Sequence, residues 1–177
     1  MADPASIAAP DPDTDYRLLI GGARVEAGDG TYPIVNPATE QVVGHAPDAS
    51  VSNAEAAAAA AAEAFPAWSR TSPDERAALL ARAADLLDAA AGDPVPLVQA
   101  ETGATLRVTR QMQVPMAAVR LRRYAQGIAD ELTIPIEPGI MPTTALAPGG
   151  IIGGVARRAP VGVVVCITSY NFPLVNM

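Results

Sequence analysis

The sequence predicts an α/β protein in which helices precede a parallel β-sheet. Helix-start signals recur through the middle of the chain, and the run from Val161 to Thr168 is apolar at almost every position. A run that is apolar on both faces is typical of a central strand in a parallel sheet. Such a strand needs a neighbour on each side, and the sequence ends at Met177. We therefore expect an amino-terminal fragment of a larger protein.

The composition excludes several classes of protein. The chain has 177 residues, of which 12 are basic (all arginine) and 19 are acidic, and half are hydrophobic. This apolar fraction is too high for a disordered chain, and no apolar run approaches the roughly 18 residues of a membrane span. An acidic chain with scattered arginines also lacks the basic stripe of a nucleic-acid binder. We expect a cytoplasmic protein with no membrane or nucleic-acid partner, which suits its single cysteine.

The first part of the chain predicts a tail followed by short strands. Residues 1–15 are rich in Pro, Ala and Asp, which predicts a disordered tail and no secretory signal. Tyr16–Ile20 and Ala23–Glu26 flank Gly21-Gly22, a pattern typical of a small hairpin. Two further extended stretches are predicted at residues 34–37 and 41–44.

Four helices are predicted next, each from a polar cap or a proline at its start. They span residues 52–65, 72–91, 94–102 and 106–128. The first is predicted to begin with a capping box of Ser52 and Glu55 and to stop at Pro66. Pro115 should bend or split the fourth helix, because proline removes a helical hydrogen bond.

Extended structure is predicted after residue 130. Leu132–Ile136 and Ile151–Arg158 read as strands, with a proline-rich loop at 137–148. The predicted parallel strand follows, and Pro173 is placed to open a helix.

The residues after this strand are the strongest candidates for chemistry. Ligands of open α/β sheets sit beyond the carboxyl ends of the strands, where Ser169, Tyr170 and Asn171 would lie. An asparagine amide is a neutral double donor that suits a developing oxyanion. The alternative from the residues alone is an ordinary turn asparagine.

Other reactive residue types give weaker signals. Cys166 lies mid-strand among valines, so a buried core residue is expected. His45 is the only histidine, so no Cys–His or Ser–His–Asp pattern is formed, and no metal-ligand spacing is present. Arg120, Arg122 and Arg123 predict a solvated helix face, with an anion or subunit contact as the alternative.

Several segments together resemble a known family. The most specific is Pro160-Val161-Gly162-Val163-Val164 followed by Asn171-Phe172-Pro173-Leu174. The others, in order, are Ile20-Gly21-Gly22, Asn36-Pro37-Ala38-Thr39, Ala64-Phe65-Pro66-Ala67-Trp68, Arg76-Ala77-Ala78-Leu79-Leu80, Ala84-Asp85-Leu86-Leu87, Glu101-Thr102-Gly103 and Arg123-Tyr124-Ala125. With them, residues 16–177 resemble the amino-terminal part of the aldehyde dehydrogenase superfamily, most closely its benzaldehyde-dehydrogenase-like branch.

The resemblance implies a fold and its parts. It implies a Rossmann-like parallel sheet, present here only in part, behind a helical flank at residues 16–136. It further implies a β-hairpin at 137–159 that joins subunits into a homo-oligomer. Residues 160–177 would supply the first strand of the cofactor site and the start of a helix.

The resemblance also implies an activity. Family members oxidise an aldehyde to a carboxylic acid (or thioester) with NAD or NADP, using a cysteine nucleophile and a glutamate that activates water. Asn171 would donate its amide to the oxyanion, and a cofactor cleft would be lined by Ile167, Thr168, Ser169, Tyr170 and Asn171. Family members commonly have a proline at the position of Ser169, so this chain differs from them at that residue.

The resemblance places the nucleophile and general base beyond Met177. The 177-residue chain is therefore expected to be inactive alone. The alternative is a truncated, non-catalytic remnant that acts as an assembly or interaction module.

Overall fold

The computed structural model describes residues 15–128 and 133–176. The predicted tail lies outside the described residues except for Asp15. The strands are β1 (Leu18–Ile20), β2 (Ala23–Val25), β3 (Thr31–Val35), β4 (Val42–Pro47), β5 (Thr133–Met141) and β6 (Gly150–Arg157). The helices are α1 (Val51–Trp68), α2 (Pro73–Ala89), α3 (Pro94–Thr102), α4 (Leu106–Val108) and α5 (Val114–Gly127), with a π-helical turn at Thr109–Gln113.

The strands form three antiparallel pairs, β1–β2, β3–β4 and β5–β6. The first is the hairpin predicted around Gly21-Gly22. The predicted parallel strand at 161–168 is wrong for this structure, since that segment has no regular secondary structure. A strand is held by backbone hydrogen bonds to a neighbour, and the described residues place no strand beside this one.

The start and end of α1 differ from the prediction. The N-cap is Ser50 rather than Ser52, and the reciprocal partner is Asn53 rather than Glu55. Asn53 Oδ1 accepts from the N–H of Ser50 at 3.0 Å and from the N–H of Gly28 at 2.7 Å, so a tertiary contact favours this cap. Pro66 lies inside the last turn instead of ending the helix, where its missing N–H affects only one terminal bond.

The start of α2 and the end of α3 agree with the predicted bounds, whereas α2 ends at Ala89, two residues earlier than predicted. Ser72 and Glu75 form a capping box, and the hydrogen bonds that Ser72 donates lower the pKa of the Glu75 carboxyl. Gly103 ends α3 at a φ of 68°. A side chain there would also meet Pro37, whose Cγ lies 2.6 Å from an ideal Cβ position. The site therefore requires glycine for its backbone angle and for its space.

The fourth predicted helix is divided into α4, the π-helical turn and α5. Pro115 lies in the first turn of α5, immediately after the π-helical turn. The N–H of Val114 donates to the Thr109 carbonyl in the π-helical pattern, and Pro115 has no N–H with which to continue that ladder. The prediction of a split at Pro115 is confirmed.

The core lies where α2 packs against α5 and where α3 meets the π-helical turn. Its members are mostly small: Ala84, Val95, Val98, Ala100, Val114, Ala117, Ala118, Ala125 and Val175. Arg122 of α5 pairs with Asp85 at 2.7 Å and with Asp88 at 2.6 Å on α2. These two ion pairs link the helices across their exposed edge.

The hairpin of β5 and β6 is longer than predicted. Thr133 pairs with Arg157 and Met141 pairs with Gly150, so β5 continues through the region predicted as loop. The register shifts between Ile136 and Gly139, around Pro138, because a proline cannot donate to the ladder. The predicted first residue of this strand, Leu132, lies outside the described residues.

Gln113 is buried without a hydrogen bond. Its side chain is fully enclosed, and neither Nε2 nor Oε1 has a partner among the described residues. A buried polar group without a partner costs about 1–3 kcal/mol. We expect Gln113→Met, which keeps the volume, to raise the free energy of unfolding by about 1 kcal/mol in denaturant titrations.

The matched control is Gln111→Met, since Gln111 is exposed two residues away. It should change the free energy of unfolding by less than about 0.5 kcal/mol. A loss of stability in Gln113→Met would contradict the assignment.

Candidate functional site

The segment from Ser169 to Asn176 forms a turn that is attached to α5. The backbone N–H groups of Val175 and Asn176 donate to the Phe172 carbonyl at 3.1 and 3.2 Å. The side chain of Val175 is buried. Arg120 Nη1 donates to the Val175 carbonyl at 2.9 Å, a contact between residues 55 apart in sequence. The helix predicted to open at Pro173 is limited to this single turn.

A groove of about 320 Å³ lies between this turn and the helical segment. Its helical wall is Met112, Met116 and Arg120, which are spaced four residues apart and therefore share one face. Its other wall comes from the turn: Ser169, Asn171, Phe172, Val175 and Asn176. The groove is thus apolar along the methionines and polar at Asn171.

Asn171 lies in this groove with an exposed side chain. Its amide forms no hydrogen bond with any described residue, whereas the neighbouring amide of Asn176 donates to Ser169 Oγ at 2.7 Å. The Asn171 amide is therefore free to donate to a molecule in the groove. Of the five residues predicted to line a cofactor cleft, Ser169 and Asn171 line this groove.

The other three predicted residues do not line the groove. Ile167 and Tyr170 are 95% and 90% exposed, and Thr168 is also exposed. Within the described residues, no backbone group from Val161 to Tyr170 forms a hydrogen bond. Their role in a cofactor cleft stays a prediction.

Cys166 is exposed, so the prediction of a buried core residue is wrong for this structure. The cause is the missing sheet: without neighbouring strands, both faces of this segment contact solvent.

His45 lies on β4 and lines a separate cavity of about 250 Å³. Tyr16, Tyr32, Leu97 and Glu101 are among the other residues around it. Burial raises the pKa of the Glu101 carboxyl. Neither Cys166 nor a serine lines this cavity, so the geometry gives His45 no nucleophile to activate. Among the described residues, no cluster of three His, Cys, Asp or Glu side chains could hold a metal ion.

Sequence reasoning missed the helical wall of the groove. The spacing of Met112 and Met116 indicates only that they share one side of a helix, and Arg120 was predicted only to lie on a solvated helix face. Arg120 and Arg123 are exposed, as predicted for a solvated helix face, and Arg120 in addition donates to the turn. Arg122 is half-buried and pairs with α2. The four-residue spacing was a signal for a shared face but did not identify the opposite wall.

Comparison with known proteins gives a consistent result. A sequence profile described as the aldehyde dehydrogenase family matches residues 25–177. Vanillin dehydrogenase from Pseudomonas fluorescens is 36% identical over 162 residues, which cover 91% of this chain and 31% of that protein. The phenylacetaldehyde dehydrogenase of the same species is 34% identical, over 90% of this chain and 32% of that protein.

A solved structure supports the same relationship at the level of the fold. Indole-3-acetaldehyde dehydrogenase from P. syringae, in complex with NAD⁺ and IAA, superimposes with a TM-score of 0.74 at 26% identity. The match covers 90% of this chain and 31% of that one.

The extent and consistency of these matches establish the family: the chain belongs to the aldehyde dehydrogenases, a class of oxidoreductases. It spans about a third of the length of its relatives. No helix among the described residues has the length and hydropathy needed to span a bilayer.

The attachment of the turn by Arg120 can be tested by hydrogen exchange. A hydrogen bond from a charged donor contributes about 1.5–3 kcal/mol. We expect Arg120→Gln to accelerate exchange of the Val175 and Asn176 amides by about tenfold or more.

Arg123→Gln is the control, because Arg123 is exposed on the same helix. Equal exchange rates in both variants would show that Arg120 does not hold the turn.

Proposed function

We propose that this chain is the amino-terminal part of an enzyme that oxidises an aldehyde to a carboxylic acid with NAD or NADP. Its relatives include dehydrogenases named for vanillin and phenylacetaldehyde. The observation that carries the proposal is the position of Asn171, whose unpaired amide lies in a groove with an apolar wall. The nucleophile and the base that activates water come from sequence outside these 177 residues.

Asn171 stabilises the oxyanion that forms when the nucleophile adds to the aldehyde carbonyl. Its N–H groups carry no charge that changes with pH, and they are not engaged by another described residue. A preorganised donor of this kind stabilises the transition state because the negative charge on oxygen develops there.

The apolar wall favours an aldehyde with an apolar body. Met112 and Met116 line the groove opposite Phe172. Thioether side chains adapt to flat or irregular apolar groups and make favourable contacts with aromatic rings. An aromatic or arylalkyl aldehyde would place its ring along this wall and its carbonyl near Asn171.

The segment from Ile167 to Asn171 fits one side of a cofactor cleft. Its backbone donors and acceptors through Tyr170 have no partner among the described residues. When bound, NAD or NADP supplies an acceptor for the hydride of the aldehyde. Ser169 is oriented by Asn176 at 2.7 Å, so its hydroxyl can position a neighbouring polar group.

Assembly through the hairpin is the second candidate function. Every residue of β5 and β6 is exposed, including six branched apolar side chains, and the outer edge of each strand is unpaired among the described residues. Such edges pair readily with another chain. We propose that residues 137–159 join subunits, either in the enzyme or in a non-catalytic remnant. The intact mass of the native gene product distinguishes these two cases.

The isolated chain is expected to have no dehydrogenase activity. Purified 177-residue chain should produce no NADH or NADPH from benzaldehyde or vanillin, since its relatives are about three times as long. Full-length vanillin dehydrogenase from P. fluorescens is the positive control. Aldehyde-dependent NADH production by the chain, above that of a heat-treated sample, would contradict the proposal.

The role of Asn171 can be tested in a complete enzyme. Residues 16–176 of this chain would replace the matching amino-terminal segment of the P. fluorescens vanillin dehydrogenase. Asn171→Ala should lower kcat by about 10²–10³, the usual loss for one oxyanion donor. The Kd for NAD should change little.

The control is Gln126→Ala, which removes an exposed side-chain amide from α5 and should leave kcat unchanged. An unchanged kcat in Asn171→Ala, measured where chemistry limits turnover, would rule out the oxyanion role.

A further inference from the structure

Another cavity, of about 810 Å³, lies where the end of α1 and the start of α2 meet the end of β6 and the residues that follow it. It shares no lining residue with the groove around Asn171. Its walls carry Arg70, Arg76, Arg157 and Arg158, together with Trp68. Its volume lies within the range of small-molecule sites, about 300–1,000 Å³.

The charge in this cavity is opposite to that of the chain. The chain carries a net charge of −7, yet four of its 12 basic residues line this one cavity. No acidic residue is among the lining side chains. None of the four arginines forms an ion pair with a described residue, whereas Arg17 and Arg122 both do. The lining residues therefore carry four positive charges and no negative one, although the Glu75 carboxylate beside the cavity partly offsets the charge of Arg76.

Such an arrangement favours a multivalent anion. Like charges that share a cavity repel, and a bound anion would relieve this repulsion. Guanidinium groups are planar, permanently charged and able to bind phosphate through two parallel hydrogen bonds. The Arg76 guanidinium is already oriented, because it donates to the Thr71 carbonyl.

The helix start beside the cavity is not the source of this preference. The Glu75 carboxylate accepts from the Ser72 N–H at 2.8 Å and from its hydroxyl at 2.9 Å. The amino-terminal end of α2 is therefore already capped by an acid of its own. The attraction for an anion rests on the four arginines.

Trp68 adds a flat surface to the same cavity. Trp68 is 47% exposed and lines the cavity with the arginines. Aromatic side chains bind nucleobases by stacking, and arginines bind the phosphates beside them. We propose that this cavity binds a nucleoside polyphosphate, with the phosphates on the arginines and the base against Trp68.

The test uses the 177-residue chain and its own fluorescence, because Trp68 is the only tryptophan. Titration with ATP should quench this emission saturably, and inorganic tripolyphosphate should bind about tenfold more weakly. The double variant Arg157→Gln/Arg158→Gln should weaken ATP binding by at least tenfold and reduce its salt dependence. Arg82→Gln, an exposed arginine of α2 outside the cavity, is the matched control and should bind normally.

A calorimetric titration of the Trp68→Leu variant tests whether the base binds against Trp68. This variant should lose affinity for ATP while keeping its affinity for tripolyphosphate. Equal affinity of the unaltered chain for both ligands would overturn the nucleotide assignment. Absence of saturable binding, equal weakening in Arg82→Gln, or equally tight binding of a hexaglutamate peptide would overturn the phosphate site itself. Far-UV circular dichroism confirms that each variant is folded.

Discussion

The packing of α2 against α5 is the constraint on which the rest of the described structure depends. Ala84 on one helix and Ala117 and Ala118 on the other are buried, and such small side chains allow two helices to approach closely. Arg122 also links the two helices through ion pairs with two carboxylates of α2. Once α5 is held in this way, its opposite face is directed at the turn from Ser169 to Asn176. Arg120 attaches that turn, so the placement of Asn171 follows from the helix pair.

The parts of the fold that could be predicted are those whose signals are local. Ser72 with Glu75, the proline at the start of α3 and Gly103 at its end each specify a boundary within a few residues of chain. Predictions failed where a distant partner decides the outcome. The cap of α1 moved to Ser50 because Asn53 also binds Gly28. The apolar run at 161–168 has the composition of a strand, but composition cannot supply the neighbouring backbone.

The sequence pointed to Asn171 in the candidate groove but not to the helical wall opposite it. The motif from Asn171 to Leu174 pointed to Asn171, one of several polar residues that line the groove. The opposite wall came from residues about 55 positions earlier in the chain, and no local pattern connects Arg120 with the Val175 carbonyl. A long-range contact of this kind is fixed by tertiary packing, which a single sequence does not display.

The exposed run from Val161 to Ile167 affects the tendency of the chain to aggregate. It is uncharged, rich in β-branched residues and long enough to form a cross-β stack with identical segments of other molecules. Arg157, Arg158 and Pro160 stand directly before it, as residues that oppose such stacking often do. A growing polypeptide displays this run as soon as it leaves the ribosome. The rate of aggregation thus depends on how quickly other residues cover the run. Until the run is covered, the mutual repulsion of the acidic molecules opposes aggregation.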